Sequence, residues 1–473
     1  MMKSWISEEL EGLDFGDKRL NVRMDAVANS YMKNPTQKVW QVGKSAEVKG
    51  AYRLFSNEKV RPSKIREPHH EKTALRASKY KTVLNLQDSS NIRFKGQEKA
   101  EGLGYLVSSV GMGLGSLTSH NSYLVTPDGI PLGLIDQQVW PRFNVCRGRT
   151  KDKQKNYLLN TPFEQKESMK WVNSMRAARE RIDKTVDIIN IGDREADIYE
   201  FMYASINEGS SFIVRARNDR YVELSETTYT TMSEMFLDTK ANFKTSVEIV
   251  GNSKKDGRRA KLDVRFLNVQ LPVPIKMFHP SSDFSLLEPI DVTILWASER
   301  NPPKDVKPIS WILITNKKIQ SNTHAARIVD FYSKRWLIEI FHKSLKSGCK
   351  IESARLQEGM RLTRLVTICS VIAHRLMELT YLYRLKPNIR CGGVLSEYEW
   401  KALWIKFKGN KNFPEKPPQI KVVVKWIAQL GGFLWRKSDG PPGITVMWNG
   451  WRKLSVYAEG LEDMELLAPK TYG

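Results

Sequence analysis

The sequence predicts a mixed α/β fold, with a sheet-centred core, an insertion of short β-strands, and helical regions at both ends. Three observations predict it. Apolar runs of strand length, KTVLNL (81–86), VDIINI (186–191) and SWILITN (310–316), alternate with segments of helical periodicity. Residues from about 221 to 305 instead alternate short β-like runs with turn residues. Residues 1–70 and 387–473 carry helical texture, the latter rich in tryptophan.

Taken in order, residues 1–70 contain an amphipathic helix from about Asp17 to Met32 that places Arg19 and Arg23 one turn apart. Pro62 and Pro68 then punctuate the chain, and His69-His70-Glu71 reads as a linker between domains. The strand KTVLNL is expected to end at Asp88, Gly111, Gly113 and Gly115 to form a turn, and SYLVTPDGIPLGLI (122–135) to form a hairpin about Asp128-Gly129. A helix near 163–183 precedes VDIINI, which runs straight into GDREADIYEF (192–201). After FIVRARNDR (212–220) comes the inserted sheet, with a basic turn KKDGRRAK (254–261). SWILITN, a helix from Tyr332 to Gly348 and a helical run over 361–384 resume the α/β pattern. Beyond Pro387 a basic, proline-containing segment extends to about 420, and a last helical region follows. The expected domains are therefore 1–70, 71–386 with its insertion at about 221–305, and 387–473, with no solenoid-type repeat.

A chain of 473 residues, 41% of them hydrophobic, can bury several cores. Lys+Arg number 75 against 52 Asp+Glu, a formal charge of +23, which points to a polyanionic partner and to nucleic acid first. The positive charge is spread along the chain, not gathered on one amphipathic helix, so a membrane surface ranks well behind. No apolar core of signal-peptide length opens the sequence, and no window is read as reaching the roughly 18 apolar residues of a membrane span, so a cytoplasmic protein is expected. Cys146, Cys349, Cys369 and Cys391 lack Cys-x-x-Cys spacing and are expected to be reduced and structural.

The helix YSKRWLIEIFHKSLKSG (332–348) carries the chemistry. Leu337, Ile338, Phe341 and Leu345 would be buried, while Tyr332, Arg335, Glu339, His342 and Lys346 share another stripe. Arg335 and Glu339, four apart, also suit an ordinary surface pair. Two further acids stand where α/β sheets build sites, Asp88 and Asp193 at strand ends. Three hard oxygen donors suit Mg2+ or Mn2+, and carboxylates with two such ions suffice for phosphodiester cleavage without a nucleophilic side chain. Asp88 is equally a turn or cap residue and Asp193 an N-cap, with Glu195 and Asp197 as rival ligands. Gly43-Lys44-Ser45 lacks the earlier glycine of a phosphate loop, and Gly111, Gly113 and Gly115 precede a hairpin where a dinucleotide site needs a helix.

In order and context these motifs resemble bacterial DDE cut-and-paste transposases of the insertion sequence four family. Tyr332, Arg335, Glu339 and Lys346 reproduce its Tyr-x2-Arg-x3-Glu-x6-Lys signature, with GDREAD before it. GDKRLNVR (16–23), GAYRLF (50–55), NPPK (301–304), LGGF (430–433) and MWNGW (447–451) extend the likeness over nearly the whole chain. The resemblance implies an RNase H-like core in which Asp88, Asp193 and Glu339 are the catalytic acids and bind two Mg2+ (or Mn2+) ions per active site. The acids are spaced 193 − 88 = 105 and 339 − 193 = 146 residues apart, and the second interval holds the β insertion.

By the same resemblance Tyr332, Arg335, Lys343 and Lys346 hold DNA phosphates, Arg215 and Arg217 contact DNA, and Arg19, Arg23 and Arg53 belong to the end-binding region. Arg220 is either a further contact or a solvated basic edge. Trp311 is either a platform for a flipped base or a core aromatic, and Trp336 could serve as either. Leu20 stands where the family's best-known member has a DNA-contacting arginine.

The implied partners are double-stranded DNA, as inverted-repeat ends and as target, and a second copy of the chain in a paired-end complex. The implied reaction is nicking, hairpin formation, hairpin opening and joining of 3′-ends to target DNA, in the bacterial cytoplasm at the nucleoid. A catalytically inactive DNA-binding or dimerising regulator is the alternative, and a metal nuclease without strand transfer a third reading.

Overall fold

The computed structural model describes residues 4–108, 111–143, 160–225, 228–249, 257–274, 282–284, 286–436 and 439–467. A twelve-stranded sheet with mostly antiparallel pairing forms the centre, and helices flank it. β1 (Thr82–Arg93), β2 (Gly104–Ser108), β3 (Gly111–Val125) and β4 (Pro131–Trp140) pair antiparallel through β3, while β5 (Asp187–Gly192) and β6 (Ser211–Arg215) continue from β1 in parallel.

Two expectations change here. β1 does not stop near Asp88 but stays paired with β3 as far as Arg93 opposite Ser116, so Asp88 lies within the strand. Residues 111–115 are not a turn but the start of β3. Gly115 has a left-handed φ of 93°, and a Cβ there would sit 3.3 Å from the Phe94 carbonyl oxygen, so glycine fits a close approach of two backbones. The hairpin at Asp128-Gly129 forms as expected, with the Gly129 N–H donating to the Thr126 carbonyl at 2.8 Å.

The inserted strands β7 (Tyr221–Ser225), β8 (Thr228–Thr231), β9 (Phe243–Ile249), β10 (Arg258–Leu271) and β11 (Ile290–Glu299) extend the core sheet instead of forming a separate one. The joint is β12 (Ser310–Thr315), antiparallel to both β6 and β11. In the expected basic turn, residues 254–256 lie outside the described residues, and Arg258 to Lys261 already belong to β10.

At the amino end stand α1 (Trp5–Glu9), α2 (Lys18–Lys33), α3 (Ser45–Ser56) and α4 (Pro62–Ala77). Asp17 caps α2 by accepting the Arg19 N–H at 2.9 Å. His69 and His70 are buried within α4 and are not linker. The His69 Nε2 accepts the Leu134 N–H at 3.0 Å, so the ring proton sits on Nδ1, which donates to Glu9 Oε1 at 2.5 Å. Arg76 Nη2 holds the same oxygen at 2.8 Å. Burial pushes the Glu9 carboxyl up, but His69 and Arg76 outweigh it and hold Glu9 well below the usual carboxylate range. Burial keeps His69 itself neutral, in agreement with its acceptor nitrogen.

One face of the sheet, carrying Val83, Leu124 and Ile188, packs on α5 (Met169–Arg181), and α6 (Tyr199–Asn207) packs beside α5. The other face, carrying Leu86, Tyr123 and Ile191, packs beneath α7 (Asn322–Ser333), α8 (Trp336–Lys343) and α9 (Gly359–Leu385). Phe341 stacks on Tyr123 with ring centroids 5.0 Å apart. Against the sequence expectation, α9 is long and apolar enough to cross a membrane, but 94% of its most apolar window is buried inside the protein. A helix that is apolar all round suits a core position equally well.

Within the segment expected to be merely basic and proline-containing lies α10 (Glu397–Lys408), followed by α11 (Ile420–Leu430) and α12 (Ile444–Leu467). Gly450 lets α12 approach α11, because a Cβ there would lie 1.8 Å from the Ile427 carbonyl oxygen. Trp451 Nε1 donates to the Met32 carbonyl at 3.3 Å, which ties the last helix to α2. Cys349, Cys369 and Cys391 are free and buried, and Cys146 lies outside the described residues.

Candidate active site

Parallel pairing of β1 and β5 sets Leu86 opposite Ile191, and each strand reaches an acid two residues later, Asp88 and Asp193. Residues two apart on a strand share a face, so both carboxylates emerge on the side covered by α8. Asp88 Oδ1 accepts the Ser89 N–H at 2.8 Å. Its position inside β1 removes the cap or turn role. Asp193 does act as an N-cap, accepting the Glu195 N–H at 2.8 Å at the start of a short 3-10 turn, yet it remains half-exposed.

The rivals in GDREAD are engaged elsewhere. Glu195 pairs with Lys170 at 2.6 Å. Asp197 is buried and accepts from Arg220 Nε at 2.8 Å and from the Arg217 and Asn218 N–H groups at 2.7 and 3.2 Å. Arg220 is therefore not a freely solvated edge but the half-buried partner of the buried Asp197.

The expected continuous helix over 332–348 is divided. Lys334 and Arg335 donate their N–H groups to Phe331 and Tyr332, a three-residue spacing that tightens the chain between α7 and α8. After α8, Ser344–Gly348 form a π turn, closed by the Cys349 N–H on the Ser344 carbonyl at 3.0 Å. Leu337, Ile338, Phe341 and Leu345 are buried as expected. Glu339 is bound by Arg335 Nη2 at 2.6 Å. Tyr332 is 3% exposed, so it lies in the wall of the site and not on an open stripe.

Charge couples these groups. Burial first, and then the neighbouring charges of Asp193 and Glu339, push the Asp88 carboxyl up to about 7, against the opposing pull of Arg335 and the Ser89 N–H. Burial lowers Lys346, with Glu352 and Asp88 opposing. Burial and the cations Lys346 and Arg335 bring His342 down to about 3. The 3.9 Å approach of His342 Nδ1 to Asp88 Oδ2 is therefore a contact with a neutral ring and not an ion pair.

Lys343 and Arg217 are exposed, and Arg215 is half-buried with Nη2 donating to the Ser310 carbonyl at 3.0 Å. Trp311, half-buried at the start of β12, meets Tyr332 edge-on with centroids 5.1 Å apart. Trp336 is half-buried at the start of α8. Arg19, Arg23 and Arg53 are exposed on α2 and α3, away from these groups in sequence, while Leu20 is buried in the core.

Burial, and then the charges of Asp193 and Glu339, force Asp88 toward its neutral form, and carboxylate oxygens are the kind of donor that a divalent cation takes. Among the described residues no three His, Cys, Asp or Glu side chains are close enough together to hold a metal ion. Of the three acids, Glu339 is the one paired with a guanidinium, that of Arg335.

Sequence reasoning missed Asn121, Gln137 and Ser370, whose side chains lie behind His342. Ser370 stands out as a polar residue on an apolar stretch of α9, whereas Asn121 and Gln137 sit among other polar residues of β3 and β4.

Two family models match the chain. One, described as Transposase DNA-binding, covers residues 2–60, and the other, Transposase Tn5 dimerisation domain, covers residues 371–465. The first match takes in α1 to α3 with Arg19, Arg23 and Arg53, and the second takes in most of α9 together with α10, α11 and nearly all of α12. Asp88, Asp193 and Glu339 lie between them.

Proposed function

Because the chain belongs with the Tn5-like transposases of the insertion sequence four family, we propose that Asp88, Asp193 and Glu339 are the acids of an RNase H-like core that cuts transposon ends and joins them to target DNA. The observation that carries this reading is the β1–β5 register, which sets Asp88 and Asp193 side by side beneath the helix of Glu339. The spatial order β4-β3-β1-β5-β6, antiparallel up to β1 and parallel beyond it, supports an RNase H-like core.

Asp88, Asp193 and Glu339 would hold Mg2+ or Mn2+, two ions per site, which supply activation of the attacking oxygen and stabilisation of the leaving one. Arg335, Lys346 and Tyr332 bind and orient DNA phosphates. A phosphate arriving at Arg335 competes with Glu339 for the guanidinium, and a freed Glu339 completes the acid set. With its carboxylates neutralised, the site accepts in turn a water that nicks the end, the freed 3′-hydroxyl that attacks the opposite strand, a water that reopens the hairpin, and the 3′-end that attacks target DNA. Arg19, Arg23 and Arg53 grip the transposon end, and the carboxy-terminal helices join two copies in a paired-end complex. The protein acts where the bacterial nucleoid is, in the cytoplasm.

The test is a search for terminal inverted repeats beside the gene and Mg2+-dependent nicking of DNA that carries them. Nicking by wild type and none by Glu339→Gln is the expected result. End binding without any nicking by wild type would instead favour the inactive regulator.

A further inference from the structure

Asp88, Asn121 and Gln137 are direct partners across three neighbouring strands, Asp88 with Asn121 in β1–β3 and Asn121 with Gln137 in β3–β4. Directly paired residues share a face, and α8 lays His342 over this one. Asn121, Gln137 and Ser370 are at most 1% exposed and His342 is 7% exposed.

The hydrogen bonds of this group have one consistent direction. The Val366 carbonyl can only accept, so the Ser370 hydroxyl donates to it at 2.8 Å and offers its lone pair to Gln137 Nε2, also at 2.8 Å. Gln137 Nε2 donates its other hydrogen to Asn121 Oδ1 at 2.8 Å, where the Ser119 hydroxyl donates as well at 3.0 Å. With its oxygen doubly engaged, Asn121 presents Nδ2 to His342 Nε2 at 3.0 Å. Nε2 is thus the acceptor, and the single ring proton lies on Nδ1, the edge that faces Asp88 Oδ2 at 3.9 Å.

Resting on the reading of Asp88 as a metal-binding acid, we propose that His342 is a positioning residue. Its Nδ1–H, aimed by the Ser370–Gln137–Asn121 chain, orients the Asp88 carboxylate so that one oxygen is left to bind the cation. The contact of 3.9 Å is longer than a hydrogen bond, as the contacts of an unliganded site often are before they tighten. Partners of this kind behind a ligand typically change metal affinity by roughly 10–100-fold. A ring present only to fill the core would leave that affinity unchanged.

The experiment is Mn2+ titration of the full-length protein by calorimetry, with melting temperature recorded for each variant. His342→Gln can still accept from Asn121 near the Nε2 position but offers nothing at Nδ1, and it should weaken Mn2+ binding about 10–100-fold. His342→Asn, whose amide nitrogen stands near the Nδ1 position, should recover most of that loss. Asn121→Asp, equal in size, turns the donor into an acceptor and draws the ring proton to Nε2, so it should weaken binding like His342→Gln and carries the test should that variant not fold. Unchanged affinity in His342→Gln, or equal losses in the Gln and Asn variants, would overturn the role of His342 alone. Equal Mn2+ binding by wild type and Asp88→Asn would overturn the metal site and this role with it.

Discussion

Leu86 and Ile191 pair across the only parallel contact that β1 makes among the described residues, and the acids Asp88 and Asp193 follow each of them by two residues. Both partners are fully buried, so the sheet core fixes the relative height of the two carboxylates. Glu339 is different, because a side chain on α8 bound to Arg335 can change partner without moving the sheet. Glu339→Gln should therefore abolish Mg2+-dependent nicking and leave end binding in a mobility-shift assay near wild type. The half-exposed pair with Arg335 is worth only about 0.3–0.5 kcal/mol, so the melting temperature should barely move. Full nicking by the variant would remove Glu339 from the site.

Asp88 makes metal-free stability depend on pH. Its folded pKa, raised to about 7, exceeds the ordinary carboxylate value, so between roughly pH 4 and 7 the folded protein binds the extra proton. Stability conferred by that proton is present at the acid end of this window and is lost as pH rises toward 7. The loss is on the order of a few kcal/mol, less whatever relaxation of the site relieves. Asp88→Asn should melt higher than wild type at pH 8 without metal, and the gap should shrink at pH 5. An equal gap at both pH values would show that Asp88 carries no raised pKa.

DNA-end affinity should fall steeply with salt. A formal charge of +23 displaces many counterions, and each neutralised phosphate adds about 0.9 to the slope of log K against log salt. Affinity measured between 50 and 200 mM salt, a range over which six to ten phosphate contacts cost about 10³–10⁵-fold, tests this. A flat line would assign the charge to something other than DNA.

Pairing of ends should depend on the outer face of α12. Trp426, Trp451 and Leu454 belong to the main core, so removing the chain from Trp426 onward would unfold more than an interface. Val456 and Met464 are instead 67% and 63% exposed within the matched dimerisation segment. Val456→Glu with Met464→Glu should retain single-end binding on native gels and lose the paired-end complex. Paired complexes at wild-type yield would place the contact elsewhere.

Legibility from sequence followed the range of the interactions. The α2 helix was readable because its cap and its apolar stripe are local, and the strands around Leu86 and Ile191 because apolar runs of that length are buried in any α/β sheet. His69 was not readable as core, since its partners Glu9 and Leu134 lie 60 and 65 residues away. Glycines 111, 113 and 115 suggest a turn, yet Gly111 and Gly113 pair with Ser108 and Leu106 of β2 and the Gly115 carbonyl accepts the Phe94 N–H, which makes them strand. The stripe on 332–348 assumed one ideal helix. The tight turn at Lys334-Arg335 and the π turn at Ser344–Gly348 re-aim Tyr332 and Lys346. In the site, the three acids stood out because carboxylates at such places need a reason, whereas Asn121 and Gln137 acquire meaning only from strand register.

Trp311 offers the sharpest separation of site from scaffold. Its ring is half-buried, packs edge-on against Tyr332, and follows Ser310, whose carbonyl binds Arg215. Hairpin formation bends the strand opposite the first nick, and extruding a base relieves that bend at an unstacking cost of a few kcal/mol. An aromatic platform recovers about 1–3 kcal/mol of this by stacking. Trp311→Ala should therefore leave the first nick near wild type and slow hairpin formation, so that nicked DNA accumulates on a denaturing gel. Because the ring is half-exposed, the fold should lose less than the roughly 3–5 kcal/mol of a buried tryptophan. A thermal melt run beside the gel separates the two effects. If nicked, hairpin and blunt products all fall together and the melting temperature drops by the full core cost, Trp311 is scaffold and the platform must be sought elsewhere, with Trp336 at the start of α8 the next ring to test.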